Sequence, residues 1–253
     1  MERISVTNID IIETQVGQKS KELLKDLLSF FRFLQDTLII AFNNSGKLVK
    51  IQNTPNNVKL LTFIATTRAF GVSKTAMDQT IRGYPFEGMA LTRILLEITE
   101  SNQYLIRHPS EIDRYLSGKL KMDEIRKIVE KEGSRANLGR YFGMLSDYAH
   151  ASRYLLTVSL KYYQNRVTIP IIIQDQDRIS DVAHGIVYGL LSQYLLFRIV
   201  LGQDLFIYDE LREREKIIFN PDNLRKSIMI SSISESVFNS WYQDFVMDDK
   251  KNI

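Results

Sequence analysis

Apolar side chains recur at steps of three and four along most of the chain, which is the spacing of an amphipathic helix. The pattern predicts helices over about 18–43, 57–82, 86–107, 110–116, 121–132, 136–164 and 180–202. Two or three shorter helices are predicted over 205–247, with a break near Asn220-Pro221. Residues 1–16 alternate weakly and are predicted to be extended or frayed. The β-branched stretch 167–173, which contains Pro170, is the best candidate for a short extended segment.

Helix-breaking residues are scarce and fall between the predicted helices. The 253 residues include five prolines and twelve glycines, too few for a sandwich or barrel that is rich in tight turns. Gly83-Tyr84-Pro85 and His108-Pro109 mark two of the breaks. We therefore predict an all-α fold, a multi-helix bundle. We expect a single domain over 1–253, with its core at about 18–202 and a possible C-terminal helical appendage at 205–253.

Composition narrows the class of protein. The net charge is +3, from 33 basic and 30 acidic residues, which is not the strong positive balance of a dedicated nucleic-acid binder. Cysteine is absent, so disulfides and thiolate metal sites are excluded and a reducing cytoplasm is the expected location. The N-terminal stretch MERISVTNIDIIETQ does not resemble a signal peptide. The most apolar run, 186–202, is shorter than the roughly 20 residues of a membrane span, so it predicts a buried core helix.

The helix predicted over 86–107 places two charged residues beside its apolar side. Its apolar arc centres on Ile94, Glu97 falls inside the arc, and Arg93 lies at its edge. Residues four apart on a helix can pair. One interpretation is an amphipathic boundary where both side chains reach water. The other is a buried polar pair, which requires further partners because an unpaired buried charge is costly.

The helix predicted over 136–164 carries a second stripe of interest, formed by Gly139, Gly143, Ser146 and His150. Glycine inside a helix costs about 1 kcal/mol relative to alanine, so two on one stripe indicate a closely packed neighbour. His150, with Ser146 one turn away and Asp147 nearby, could act as a base or proton shuttle, or be a hydrogen-bonded core histidine. We expect this stripe to meet Arg93 and Glu97 in a buried polar network that fixes packing or binds a ligand.

Two stretches of the chain resemble known helical families. ALTRILLE at 90–97, followed by Tyr141 and by LSDYAH at 145–150, resembles a group of uncharacterised bacterial all-helical proteins. Those proteins pair an Arg-x-x-x-Glu helix with a later Tyr…Leu-Ser…His helix. Separately, Arg178 and His184 are similar in spacing to the arginine and histidine of the HEPN superfamily. That resemblance implies a dimeric, metal-independent ribonuclease in which Arg178 and His184 act as catalytic residues on the scissile phosphate.

Other motifs of nucleotide binding, metalloprotease chemistry and calcium binding are absent from the sequence. Three isolated histidines give no case for a metal, and no cofactor is predicted. Two functions therefore remain as hypotheses. The first is an interaction or defence-type helical protein without chemistry of its own, with a protein partner or self-association and a small ligand bound between helices. The second is the HEPN-like ribonuclease, for which RNA is the partner.

Overall fold

The computed structural model describes residues 6–45, 58–131, 161–163, 166–168, 176–205 and 209–228. These residues are almost entirely helical, which confirms the all-α, multi-helix prediction. The helices are α1 (Val6–Leu23), α2 (Lys25–Ser45), α3 (Val58–Ile81), α4 (Pro85–Arg107), α5 (Ile112–Leu116), α6 (Met122–Lys131), α7 (Gln176–Leu205), α8 (Asp209–Ile218) and α9 (Pro221–Ile228). A 3₁₀ turn, Pro109–Glu111, precedes α5. Two short strands, β1 (Lys161–Tyr163) and β2 (Arg166–Thr168), pair antiparallel.

The N-terminal prediction was wrong, because α1 is a helix from Val6 rather than an extended segment. Ile9 and Val16 pack in the core at helical spacing, whereas Ile11 is exposed. The chain departs from regular helix only at Leu24, where α2 follows at once. The prediction of a helix reaching residue 164 was also wrong at its end, since β1 occupies 161–163. Strand β2 overlaps the beginning of the predicted extended segment, and residues 169–173 lie outside the described residues.

Helices α3 and α4 form an antiparallel hairpin through a glycine-terminated turn. Gly83 has φ of 97°, a conformation that glycine adopts at low cost. Its N–H donates to the Thr80 carbonyl at 3.1 Å, and the Tyr84 N–H donates to the Gln79 carbonyl at 3.0 Å. These two bonds satisfy the last carbonyls of α3 in a Schellman motif. Pro85 then begins α4, where its missing N–H costs nothing.

Helix α7 is the central element, and it packs against α2, α3, α4 and α9. It is the one helix within the described residues that is long and apolar enough, over Gln176–Leu201, to cross a membrane. However, 78% of its most apolar window is buried inside the molecule, so this is weak evidence for a membrane span. The core of α7 includes Ile179, Val182, Ile186, Leu190, Leu191, Leu195 and Phe197.

Small and polar side chains form much of the face that α3 and α4 bury. On α3 the buried residues are Thr62, Thr66, Ala69, Ser73, Ala76, Met77 and Thr80. Because these side chains are short, α3 can lie close to α4 and α7. Glycines add to this close packing, since a Cβ at Gly189 of α7 would lie 2.8 Å from Leu95 Cδ2. Among the larger apolar residues of α3, Met77 is buried and Phe70 packs against the main core, whereas Ile64 is 52% exposed.

A second, smaller core lies at the far end of the hairpin, formed by Tyr104, Leu105, Ile112, Leu120, Ile125 and Val129. It holds α5 and α6 against α4. At the other end of the chain, Ile218 of α8 and Leu224 of α9 belong to the main core, as does Val16 of α1. The core therefore extends beyond the 18–202 region on both sides.

Candidate functional site

The predicted pair on α4 is present as a contact. Arg93 Nε lies 3.0 Å from Glu97 Oε1, and the two side chains are 17% and 26% exposed. Both side chains are therefore half-buried, which is intermediate between the water-exposed pair and the buried pair that were the two interpretations of the sequence. The predicted apolar arc was misplaced, however, because Ile94 at its centre is 38% exposed. The face of α4 that turns to the core instead includes Leu95 and Leu96.

Arg126 of α6 joins this pair and completes a four-residue cluster. Its Nη2 lies 2.7 Å from Glu97 Oε1, and its Nε lies 3.3 Å from Glu100 Oε2. The Glu100 side chain is only 3% exposed, which makes it the most deeply buried charge of the cluster. Arg126 Nη1 also lies 3.5 Å from Oδ1 of the exposed Asp123. The charge-assisted hydrogen bonds from Arg126 to the two glutamates tie α6 to α4. Arg126 and Glu100 could not be predicted from the sequence, because their pairing depends on how α6 docks on α4.

Several predicted site residues cannot be placed against this cluster. Ser146, Asp147 and His150 lie outside the described residues, as do Gly139 and Gly143. Their meeting with Arg93 and Glu97 stays a prediction.

The HEPN-like pair lies on α7, away from the α4 cluster. The Arg178 guanidinium is 5.3 Å from the centre of the Phe86 ring, a cation–π distance. His184 is partly buried, and its Nδ1 lies 2.8 Å from the Ser180 carbonyl oxygen. Because Nδ1 then donates, Nε2 is the nitrogen left as acceptor. His184 follows Arg178 by six positions, which places the two residues about 120° apart around the helix. Their catalytic role stays a prediction.

A groove opens between the α3–α4 hairpin and the lobe of α5 and α6. Its volume is about 470 Å³, in the range of small-molecule sites. Three of its apolar side chains are exposed: Ile64 at 52%, Ile94 at 38% and Leu116 at 49%. The complete lining is Leu61, Ile64, Ala65, Arg68, Ile94, Glu97, Ile98, Ser101, Asn102, Leu105, Tyr115, Leu116 and Met122. Glu97 therefore connects the charged cluster to the groove.

Two further polar side chains of the groove were not predicted. Arg68 of α3 is exposed and makes no ion pair within the described residues. Asn102 of α4 is 3% exposed, and its Oδ1 accepts a hydrogen bond from Thr62 Oγ1 at 3.0 Å. Its Nδ2 has no hydrogen-bond partner among the described residues and is shielded from solvent. A buried donor without a partner is uncommon, and it indicates a group that something else can engage.

Hydrogen bonds join α7 to α3 and α3 to α4 beside Asn102. Gln193 Nε2 of α7 donates to Thr66 Oγ1 at 2.8 Å, and Thr66 Oγ1 donates to the Thr62 carbonyl at 2.7 Å. Thr62 Oγ1 donates separately to Asn102 Oδ1. With Oδ1 occupied, Nδ2 is the donor of Asn102 that has no partner among the described residues.

A separate polar cluster joins α7 to α8. Tyr194 Oη donates to Glu215 Oε1 at 2.9 Å, and Arg198 Nε lies 3.0 Å from the same oxygen. Burial raises the pKa of the Tyr194 hydroxyl well above its ordinary value, and the negative charge of Glu215 raises it further. Arg198 also covers the Phe219 ring at 5.2 Å. Since all partners are engaged with one another, this cluster serves packing.

Comparison of the chain with protein-family models, curated proteins and solved structures found no match. Within the described residues, no group of three or more histidine, aspartate or glutamate side chains is placed to hold a metal ion. The function therefore has to be inferred from the groove and its side chains.

Proposed function

We propose that this chain is a helical binding protein whose groove between α3, α4, α5 and α6 takes up a small, mainly apolar molecule. The observation that carries the proposal is an inversion of the usual burial pattern. Helices α3 and α4 bury threonine, serine, asparagine and glutamate, yet they leave Ile64 and Ile94 exposed in one shared groove. Leu116 of α5 faces the same groove.

The energetic argument is the removal of these side chains from water. Burying a half-exposed isoleucine or leucine contributes about 1 kcal/mol, and the three act together within one concave site. Exposed apolar side chains that are scattered singly need no explanation, but a cluster of them in a groove indicates a binding surface. The groove walls are also fixed, because the Arg126 contacts hold α6 to α4 beside Glu97.

The ribonuclease alternative is less well supported. Arg178 and His184 lie on α7, and neither lines the groove. Among the described residues that line the groove, the Ser101 hydroxyl is bonded to Met122 Sδ and not to a base, so the proposal assigns the groove binding and no reaction.

Binding of Nile red, a neutral dye that fluoresces in apolar surroundings, tests the proposal. Ala65→Trp should fill the groove, and Ile64→Glu should place a charge in it, so each should weaken dye binding at least about tenfold. The matched control is Ile199→Glu, which changes an isoleucine that is 46% exposed outside the groove. Circular dichroism melts establish that each variant is folded. Equal dye affinity in the wild type and in both folded groove variants would contradict the proposal.

A further inference from the structure

We infer that the groove selects an amphipathic carboxylate that carries a second oxygen acceptor farther along its apolar chain. This inference rests on the proposed function and specifies the class of ligand. It follows from two polar groups in an otherwise apolar groove, Arg68 and the Nδ2 group of Asn102.

Arg68 gives the groove its preference for an anion. Of the charged residues lining the groove, Glu97 is in contact with two guanidinium groups, whereas Arg68 has no ion pair within the described part of the chain. The Glu97 carboxylate is thus already paired with two arginines, and Arg68 is the charged group of the described groove lining that a ligand can pair with. A guanidinium presents a planar set of donors that matches a carboxylate, and the apolar walls strengthen that contact.

Asn102 supplies the second requirement. Its Oδ1 accepts the hydrogen bond from Thr62 Oγ1, so Nδ2 remains as the donor without a partner among the described residues. A donor enclosed without a partner costs free energy, and an oxygen acceptor that enters from the groove removes that cost. An ammonium group would be disfavoured at the same point, because it has donors and no acceptor.

The spacing of the two groups sets the shape of the ligand. Thr62 lies beside Asn102, and Arg68 follows Thr62 by six residues on α3, which is about 9 Å along the helix axis. The groove between these points is lined by Ile64, Ile94 and Ile98. A short hydroxy acid, whose two oxygen groups are adjacent, cannot reach both. An extended acyl chain with a carboxylate at one end and a carbonyl near the other can.

Four probes of matched chain length test this class: 9-oxodecanoate, decanoate, decanol and decylamine. Displacement of Nile red from the full chain gives their relative affinities. We expect decanoate to bind about fivefold more tightly than decanol, 9-oxodecanoate about fivefold more tightly again, and decylamine to bind most weakly.

Variants assign each preference to its residue. Arg68→Gln should abolish the advantage of decanoate over decanol, whereas Arg212→Gln, an exposed arginine outside the groove, should not. Asn102→Leu should abolish the advantage of 9-oxodecanoate over decanoate and keep the preference for a carboxylate. If Asn102→Leu does not fold, the double variant Thr62→Val/Asn102→Leu is measured instead, because it removes both hydrogen-bonding partners together.

The outcomes distinguish a wrong ligand class from a wrong binding function. If Nile red and decanol bind to the wild type and bind weakly to Ala65→Trp, but decanoate and 9-oxodecanoate bind no better than decanol, the ligand class is wrong and the binding function stands. If none of the probes binds to the folded wild type, both are wrong. Retention of both preferences in Arg68→Gln and in the Asn102 variant would also overturn the inference.

Discussion

At the scale of single residues, the molecule satisfies four of its buried threonine hydroxyls inside their own helices. Thr66, Thr80, Thr92 and Thr99 donate to the carbonyl four residues earlier, at distances between 2.7 and 3.0 Å. A hydroxyl bonded in this way needs no partner from a neighbouring helix, so a threonine can face the core at little cost. Asn102 differs from these threonines, because its Nδ2 finds no such local acceptor.

Tyr194 provides a prediction for pH dependence. Burial, reinforced by Glu215, raises the pKa of the Tyr194 hydroxyl in the folded state above the ordinary value of 10.0. A raised pKa in the folded state means that its stabilising contribution is complete below pH 10 and is lost as the pH rises through the folded-state value. Tyr194→Phe should therefore lower the free energy of unfolding by about 2 kcal/mol at neutral pH, where a hydrogen bond to a charged group is lost.

The same substitution should reduce the decline in stability above pH 10. Urea unfolding at a series of pH values from neutral to alkaline measures both effects. Tyr115→Phe is the control, since Tyr115 is only partly buried. An alkaline decline that is as steep in Tyr194→Phe as in the wild type would show that this hydroxyl does not contribute to it.

Burial of threonines also explains which residues could not be predicted. A hydrophobic pattern assigns Thr92 and Thr99 to the solvent side of α4 and puts Ile94 at the centre of the buried side. In the structure, Thr92 and Thr99 are buried and Ile94 is 38% exposed. Arg93 and Glu97 could be paired from the sequence because four residues along a helix is a local relation. Glu100 and Arg126 could not, because their contact joins residues 26 positions apart through the docking of two helices.

At the scale of helices, the ends were easier to predict than the faces. Gly83 and the Pro109 that follows α4 impose local backbone restrictions, so the ends of α3 and α4 follow directly from residue type. The break at Asn220-Pro221 separates α8 from α9 for the same reason. The start of α1 was missed, because its apolar residues are sparse and its helical state depends on packing of Ile9 and Val16 against the core.

The crossing of α4 and α7 gives a prediction at this scale. A Cβ at Gly189 would lie 2.8 Å from Leu95 Cδ2 and 2.9 Å from Leu95 Cγ, and Leu95 is fully buried. Gly189→Ala should therefore force the two helices apart and lower the free energy of unfolding by about 1–3 kcal/mol, the usual cost of overpacking. Thermal and urea denaturation measure the change.

Gly71→Ala is the matched control for that substitution. Gly71 also lies within a helix, but a Cβ there meets nothing within 4 Å. The alanine should raise stability by about 0.5–1 kcal/mol, because it restricts the unfolded chain and favours the helix. If the two glycine variants changed stability in the same direction, close approach at Gly189 would not be what holds α4 against α7.

At the scale of the whole molecule, α8 and α9 are built into the bundle rather than attached to its surface. Helix α8 contacts α2, and α9 contacts both α2 and α7. Ile218 and Leu224 are fully buried in the same core that contains Leu190 and Leu191. The charged contact between Arg198 and Glu215 adds a second attachment, with both side chains about one-tenth exposed. Most polar residues of α8 are exposed, whereas Glu215 is buried and pairs with Arg198.

Because α8 and α9 share the main core with α7, a cavity in α9 should destabilise α7 as well. Leu224→Ala removes a fully buried side chain and should lower the free energy of unfolding by about 3 kcal/mol. Leu23→Ala, at a leucine that is 58% exposed, should change it by less than about 0.5 kcal/mol. In hydrogen exchange, Leu224→Ala should speed the amides of α7 together with those of α8 and α9, since one cooperative opening exposes them all. Faster exchange confined to α8 and α9 would mean instead that these two helices open as a unit of their own, leaving the α3–α4–α7 layer and the groove beside it intact.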